Sequence, residues 1–177
     1  IKPVQQFAYV TGKNATDSAM IIDAMDLLYT RRFDGFCLVS SDSDYTGLAI
    51  RLREEGLSVF GFGEEKTPAA FRKSCHKFIF TEILRPGYTA KDADATPLPP
   101  QASASSEATE KAKRFPRKVV LTALANASDE SGWAHLGAFG SILNKLIPDF
   151  DSRLYGYKKL SDLVRAKKDI FEIDERE

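Results

Sequence analysis

Over its first eighty residues the chain alternates short apolar runs with stretches of helical period. QQFAYV (Gln5 to Val10), GFCLVS (Gly35 to Ser40), LSVFGFG (Leu57 to Gly63) and FIFTEIL (Phe78 to Leu84) are each a few residues long and rich in β-branched or aromatic side chains, which predicts strands. Between them, TDSAMIIDAMDLLYTRR (Thr16 to Arg32), YTGLAIRLREEG (Tyr45 to Gly56) and KTPAAFRKSCHKF (Lys66 to Phe78) carry apolar residues at helical spacing. Gly56 is placed to end the second helix in the left-handed cap position, and Thr67 with Pro68 to cap and open the third. Strands separated by helices are joined by right-handed crossovers, so the expected fold is α/β, a Rossmann-like, doubly wound parallel sheet.

The pattern stops at residue 85. Residues 85–113, including ATPLPPQASASSEATEKAK, are dominated by Pro, Ala, Ser, Thr and Asp and offer nothing that could bury a core, which predicts a flexible linker. Helical period returns in FPRKVVLTALANAS, where Pro116 is placed to start a helix, and continues in GWAHLGAFGSILNKLIP (Gly132 to Pro148) and KLSDLVRAK (Lys159 to Lys167). DIFEIDE (Asp169 to Glu175) alternates as a short terminal strand. The expected organisation is one domain over residues 1–84, a linker over 85–113, and a small, mainly helical, winged-helix-like domain over 114–177.

A hydrophobic content of 43% suffices for packed cores, and a formal net charge of +0 means that any nucleic-acid binding must use local patches. Cys37 and Cys75 are isolated thiols in a sequence with no signal peptide and no long apolar span, which predicts a reduced, cytoplasmic protein with no membrane association and with both thiols buried. Two histidines and two scattered cysteines exclude a structural zinc site as an expectation. The sequence opens at Ile1 in the middle of a pattern, so a preceding segment is expected.

Chemistry concentrates in LVSSDSDYTGL, where Asp42 and Asp44 follow an apolar strand directly. Ligands of an open parallel sheet bind at the carboxyl ends of its strands. Loops on that side bring Asp17, Asp42 and Asp44 together, and three mutually repelling carboxylates call for a hard divalent cation such as Mg²⁺ or Mn²⁺. Helix capping explains Asp17 or Asp44 singly without a metal, but does not account for Asp42. Asp23 follows Asp17 by six residues, about 240° around the helix, and is left out of the ligand set. Lys13 and Asn14 could position a phosphate or form a plain turn, and Lys66 and Thr67 could hold a phosphate at a helix N-terminus or simply cap it. His76 reads as a packing or surface residue.

Residues 12–63, in the order GKN, Asp17, a helix with Asp23, VSSDSDY, a helix and GFG, resemble the NYN domain, a branch of the PIN-like nuclease superfamily. The resemblance covers roughly the first 84 residues. It implies a PIN-type sheet and a divalent cation held by Asp17, Asp42 and Asp44 for RNA cleavage, hence an endoribonuclease. The family's initial strand, with an Asn and a further acidic residue, has no counterpart here, so the expected sheet lacks its first strand. PIN-like domains often pair, which implies a homodimer.

Residues 115–177 resemble the LOTUS or OST-HTH module through FPRKVVLTAL, GWAHLGAFGSIL and FDSRLYGYKKLSDLV. That family includes members that bind RNA, guanine quadruplexes among them, and members that bind protein partners. Within RLYGYKKL, Arg153, Lys158 and Lys159 could contact phosphate while Tyr155 and Tyr157 stack on single-stranded or structured RNA, or at least one tyrosine could pack the core. Lys167 and Lys168 extend the basic surface or complement a helix end, and Trp133 reads as packing. The leading expectation is a metal-dependent ribonuclease whose second module recruits RNA. The alternative is a non-catalytic RNA- or protein-binding adaptor, and a different phosphate-handling enzyme ranks last.

Overall fold

The computed structural model describes residues 3–6, 15–85 and 115–174. Most of the expected strand Gln5–Val10, both Lys13 and Asn14, and residues 86–113 of the expected linker lie outside the described residues. The chain forms two compact units, Ile1–Gly63 with Thr67–Phe78, and Glu64–Lys66 with Ile79–Glu177.

The α/β region runs α1 (Ala15–Tyr29), β1 (Gly35–Val39), α2 (Thr46–Glu54), β2 (Ser58–Gly63), α3 (Ala69–Ser74) and β3 (Lys77–Phe80). It is the expected small parallel sheet with flanking helices, in the order β1-β2-β3. The register of β1 on β2 places Gly35 opposite Ser58 and Val39 opposite Phe62. Gly56, at φ 82°, turns the chain from α2 into β2. Its N–H donates to the Arg53 carbonyl at 2.9 Å and that of Leu57 to the Leu52 carbonyl at 3.1 Å, closing the helix as the sequence predicts.

The glycines of β2 have a packing purpose. A Cβ at Gly61 would lie 2.6 Å from the Phe78 ring and 2.7 Å from the Cys75 sulfur, and one at Gly63 would lie 2.4 Å from the Ser40 carbonyl oxygen. Without side chains at these two positions, Phe78 lies against β2 and meets Phe71 edge-on at 6.0 Å. Leu38, Leu48, Leu52, Val59, Phe71 and Phe78 form the buried interior.

Three expectations are corrected here. Both thiols are expected to be buried, yet Cys37 is exposed while Cys75 is buried. Burial pushes the Cys75 thiol up to about 11, so it behaves as an inert small hydrophobe. The third helix is six residues long rather than thirteen: the His76 N–H bonds the Val59 carbonyl at 2.8 Å, so pairing with β2 claims the residues that helical period had assigned to the helix. The expected strand over residues 78–84 shifts to Lys77–Phe80 and ends in a 3-10 turn, Thr81–Leu84.

The helical region comprises α4 (Arg117–Ala127), α5 (Leu136–Leu146), a 3-10 turn (Ser152–Tyr155) and α6 (Leu160–Ala166). Val120 and Ala123, Phe139 and Leu143, and Leu163 bring one stripe of each helix to a core completed by Phe150 and Phe171. The segment before α5 is not helical. Asp129 Oδ1 accepts from the Ser131 N–H (2.9 Å), the Ser131 hydroxyl (2.6 Å) and the Trp133 N–H (3.1 Å), while His135 Nδ1 caps α5 by accepting from the Gly137 N–H at 3.2 Å. Trp133 is 40% exposed.

The expected terminal strand does not form among its described residues. The N–H groups of Ile170 and Phe171 both turn back to the Lys167 carbonyl, at 2.9 and 3.0 Å, and Phe171 buries edge-on against Phe139 at 5.6 Å. The alternation in the sequence thus records the anchoring of an irregular tail rather than strand pairing. Among the described residues no helix is long and apolar enough to cross a membrane.

Candidate functional site

The Ser40 N–H donates to the Phe62 carbonyl at 2.8 Å, carrying the β1–β2 pairing one residue past β1 before the chain leaves the sheet at its carboxyl end. The loop beyond is folded by its own side chains. Ser40 Oγ accepts from the Asp42 N–H at 3.1 Å, and Asp42 Oδ1 accepts from the Asp44 N–H at 2.9 Å. Asp42 therefore caps the 3-10 turn Ser43–Tyr45, which runs straight into α2. Asp17 enters from the first turn of α1. Asp17, Asp42 and Asp44 each offer a carboxylate oxygen, and all three oxygens lie within 4.8 Å of one another.

Tyr45 ties the two segments together. Its side chain is 4% exposed, its ring is tilted against Phe71 at 6.4 Å, and its hydroxyl donates to Asp17 Oδ1 at 2.6 Å. Burial first, then the hydrogen bond to Asp17 and the negative charges of Asp17, Asp42 and Asp44, push the phenol far above its ordinary value. The hydroxyl therefore keeps its proton and donates it to Asp17. Nothing in the sequence reading singled this residue out. The signal was an aromatic residue with a polar tip placed directly after the acidic pair.

The donor set fits a hard divalent cation: three oxygens, no sulfur or imidazole, and a compact arrangement. A divalent cation bound there would be held by Asp17, Asp42 and Asp44. The capping assignment is corrected. Asp42 is the cap, whereas Asp17 and Asp44 lie inside first turns, where a carboxylate favours the helix N-terminus without capping it. Asp23 is exposed and is not part of the group.

The other expected phosphate contacts divide. Lys66 is exposed and ion-paired with Glu64 at 2.7 Å, which raises its ammonium above the ordinary value. Thr67 is corrected: it is 2% exposed, its hydroxyl is buried with no hydrogen-bond partner among the described residues, and the cap position of α3 is Pro68. It neither caps the helix nor presents a hydroxyl to a surface phosphate. His76 is exposed and accepts the Val59 backbone N–H on Nδ1 at 3.1 Å, in keeping with its reading as a packing or surface residue.

In the helical region, Arg153 folds onto Asp151, with Nε to Oδ1 at 3.0 Å and an outer nitrogen to Oδ2 at 2.7 Å, so one edge of its guanidinium is already paired. Tyr155 packs edge-on against Phe115 at 5.3 Å and tilted against Phe150 at 5.6 Å. Burial, with the charge of Asp149, pushes its hydroxyl up to about 12. Tyr155 is thus a core residue rather than a stacking platform, and Tyr157 is half-buried against the same core. The small module spends Phe115, Phe150 and Tyr155 on its own interior. Lys158 and Lys159 are exposed, and Lys167 lies over the Phe115 ring at 5.3 Å.

Comparison with known proteins agrees with this division. The NYN domain family model matches residues 1–84 and the OST-HTH/LOTUS domain model matches residues 107–177. No curated protein matches the chain. A solution NMR structure of an uncharacterized protein from Nitrosomonas europaea is similar at 55% sequence identity, covering 43% of this chain and 68% of that one, with a TM-score of 0.32. The sheet, the loop that follows β1 and the helical module thus have a family setting: residues 1–84 belong to the NYN domain family and residues 107–177 to the OST-HTH/LOTUS family.

Proposed function

We propose that this protein is a metal-dependent endoribonuclease in which Asp17, Asp42 and Asp44 form the hydrolytic centre and the OST-HTH/LOTUS module recruits RNA. The NYN domain is a member of the PIN-like nuclease superfamily and the second module is of an RNA-associated family, which gives the chain a ribonuclease-like, RNA-associated character. The observation that carries the catalytic reading is the convergence of three carboxylates from two segments some 25 residues apart in sequence. Mg²⁺ or Mn²⁺ bound there would supply charge stabilisation at the phosphodiester and lower the pKa of water.

The chain's own residues do the rest. Asp17 is oriented by the Tyr45 hydroxyl, and Asp42 is oriented by the N–H of Asp44. Two of the three carboxylates are exposed, so a polymer backbone can reach them without threading an end into a cavity, which suits internal cleavage. In the second module Lys158 and Lys159 are the exposed cations of the candidate segment and supply phosphate contacts.

The test is to incubate the full chain with labelled single-stranded, structured and quadruplex-forming RNA in Mn²⁺, in Mg²⁺ and in EDTA, alongside the Asp42→Asn, Asp44→Asn double variant. Metal-dependent cleavage absent from the variant is expected. Cleavage that continues unchanged in the variant or in EDTA overturns the assignment. A second reading, a non-catalytic adaptor, draws on the Asp42 cap, which gives that carboxylate a structural use without any metal. RNA binding without turnover in either metal would establish it.

A further inference from the structure

We infer that Tyr45 is a positioning residue for the acidic centre, holding the Asp17 carboxylate at one rotation so that it meets Asp42 and Asp44 as a ready-made set. This rests on the metal-site reading above and names the group on which the geometry of that site depends. Asp17 and the Asp42–Asp44 loop arrive on different elements, α1 and the turn before α2. An aspartate in the first turn of a helix is free to rotate about its side-chain bonds, and a mobile ligand must be ordered at the moment an ion binds. The 2.6 Å bond from Tyr45 to Asp17 Oδ1 removes that freedom beforehand.

The donor itself cannot wander. Tyr45 is buried, its ring is tilted against Phe71, and its backbone belongs to the same 3-10 turn that Asp42 caps. One residue thereby fixes Asp17 through its hydroxyl and the acidic loop through its backbone. The bond does not consume the ligand: an ionised carboxylate has about four lone-pair sites, and the hydroxyl occupies one. Groups that hydrogen-bond to metal ligands in this way typically change metal affinity 10- to 100-fold when removed.

The experiment is a direct titration of the full chain with Mn²⁺, following free Mn²⁺ by electron paramagnetic resonance, for the wild type, Tyr45→Phe, Asp17→Asn and the Tyr45→Phe, Asp17→Asn combination, with thermal denaturation of each in EDTA. Phenylalanine keeps the ring against Phe71 and removes only the donor. Tyr45→Phe is expected to bind Mn²⁺ about 10-fold more weakly with an unchanged midpoint in EDTA, and to have no further effect once Asp17 is Asn. Unchanged affinity in a folded Tyr45→Phe chain overturns the role of Tyr45 and leaves the metal centre standing. A further loss in the Asp17→Asn background also overturns it, because Tyr45 would then act elsewhere. No Mn²⁺ binding by the wild type overturns the metal-site reading and this inference together. Should Tyr45→Phe fail to fold, proton NMR of the wild type decides. A slowly exchanging Tyr45 hydroxyl, retained when Mg²⁺ is added, supports the role, and one exchanging like a free phenol overturns it.

Discussion

The two domains use their polar and aromatic residues in opposite ways. In the NYN domain the interior is supplied by the sheet and its helices, through Leu38, Val59, Phe71 and Phe78, and the loop after β1 is left free to carry charge. Asp17 from α1 meets Asp42 and Asp44 of that loop, and the aromatic residue beside them, Tyr45, turns its hydroxyl toward Asp17. In the OST-HTH/LOTUS module the segment richest in candidate chemistry is also part of the core. Tyr155 and Phe150 close the interior, and Arg153 folds back onto Asp151. A cluster of functional residue types is left free to act when a larger scaffold has already met the demand for burial, and is drawn into structure when it has not.

The strongest way to break this comparison is the Asp42→Asn, Asp44→Asn variant. Asparagine caps a turn about as well as aspartate, so a loop held only by capping should keep both its stability and its function. If the centre binds metal, cleavage should fall on the order of 10²-fold or more, because charge stabilisation by a metal is worth several kcal/mol. The expected result is therefore a lost rate with an unchanged melting midpoint, read by cleavage assay and thermal denaturation of the same preparation.

The matching experiment on the other side is Tyr155→Ala. Truncating an aromatic packed against Phe115 and Phe150 should cost about 2–3 kcal/mol, somewhat below a fully enclosed phenylalanine. Tyr155→Phe should leave stability and RNA affinity alike near the wild type. If Tyr155→Phe instead weakened RNA binding in a folded chain, the hydroxyl would be at work on RNA and the contrast between the domains would fail. A smaller effect is expected from Lys158→Ala with Lys159→Ala: loss of two phosphate contacts should flatten the slope of log affinity against log salt by about 1.4, at about 0.7 per contact with single strands.

What could be read from sequence follows the same physical line. Convergence of Asp17, Asp42 and Asp44 was legible because the carboxyl ends of parallel strands share one side whatever the packing details. The cap at Gly56 was legible because few residues tolerate its backbone angle. The length of α3 was not, since helical period in KTPAAFRKSCHKF could not show that β2 would compete for His76. The tail after α6 misled for a related reason: alternation predicts a strand only if a partner strand exists, and Phe171 packs edge-on against Phe139 instead. Tyr45 was missed because a tyrosine at a helix start has no periodic signature, and its role depends on a carboxylate 28 residues away.

The smallest expected effect concerns the scaffold beneath the acidic loop. His76 accepts the Val59 backbone N–H on ring Nδ1, which requires a neutral ring, while its own backbone N–H donates to the Val59 carbonyl. Partial burial, with the nearby Arg53 charge, lowers the imidazole below its ordinary value. Between that lowered value and the unfolded value near 6.5, the unfolded chain binds more protons than the folded one, so stability rises with pH. The contribution is fully present above about 6.5 and is lost as pH falls through the folded value. Because His76 is exposed, the slope should be shallow, and His76→Ala should remove it. Chemical denaturation of the wild type and the variant between about pH 5 and pH 7.5 measures the difference. A wild type that loses no more stability on acidification than His76→Ala would mean that the ring charges freely and that the link between β2 and the start of β3 does not depend on it.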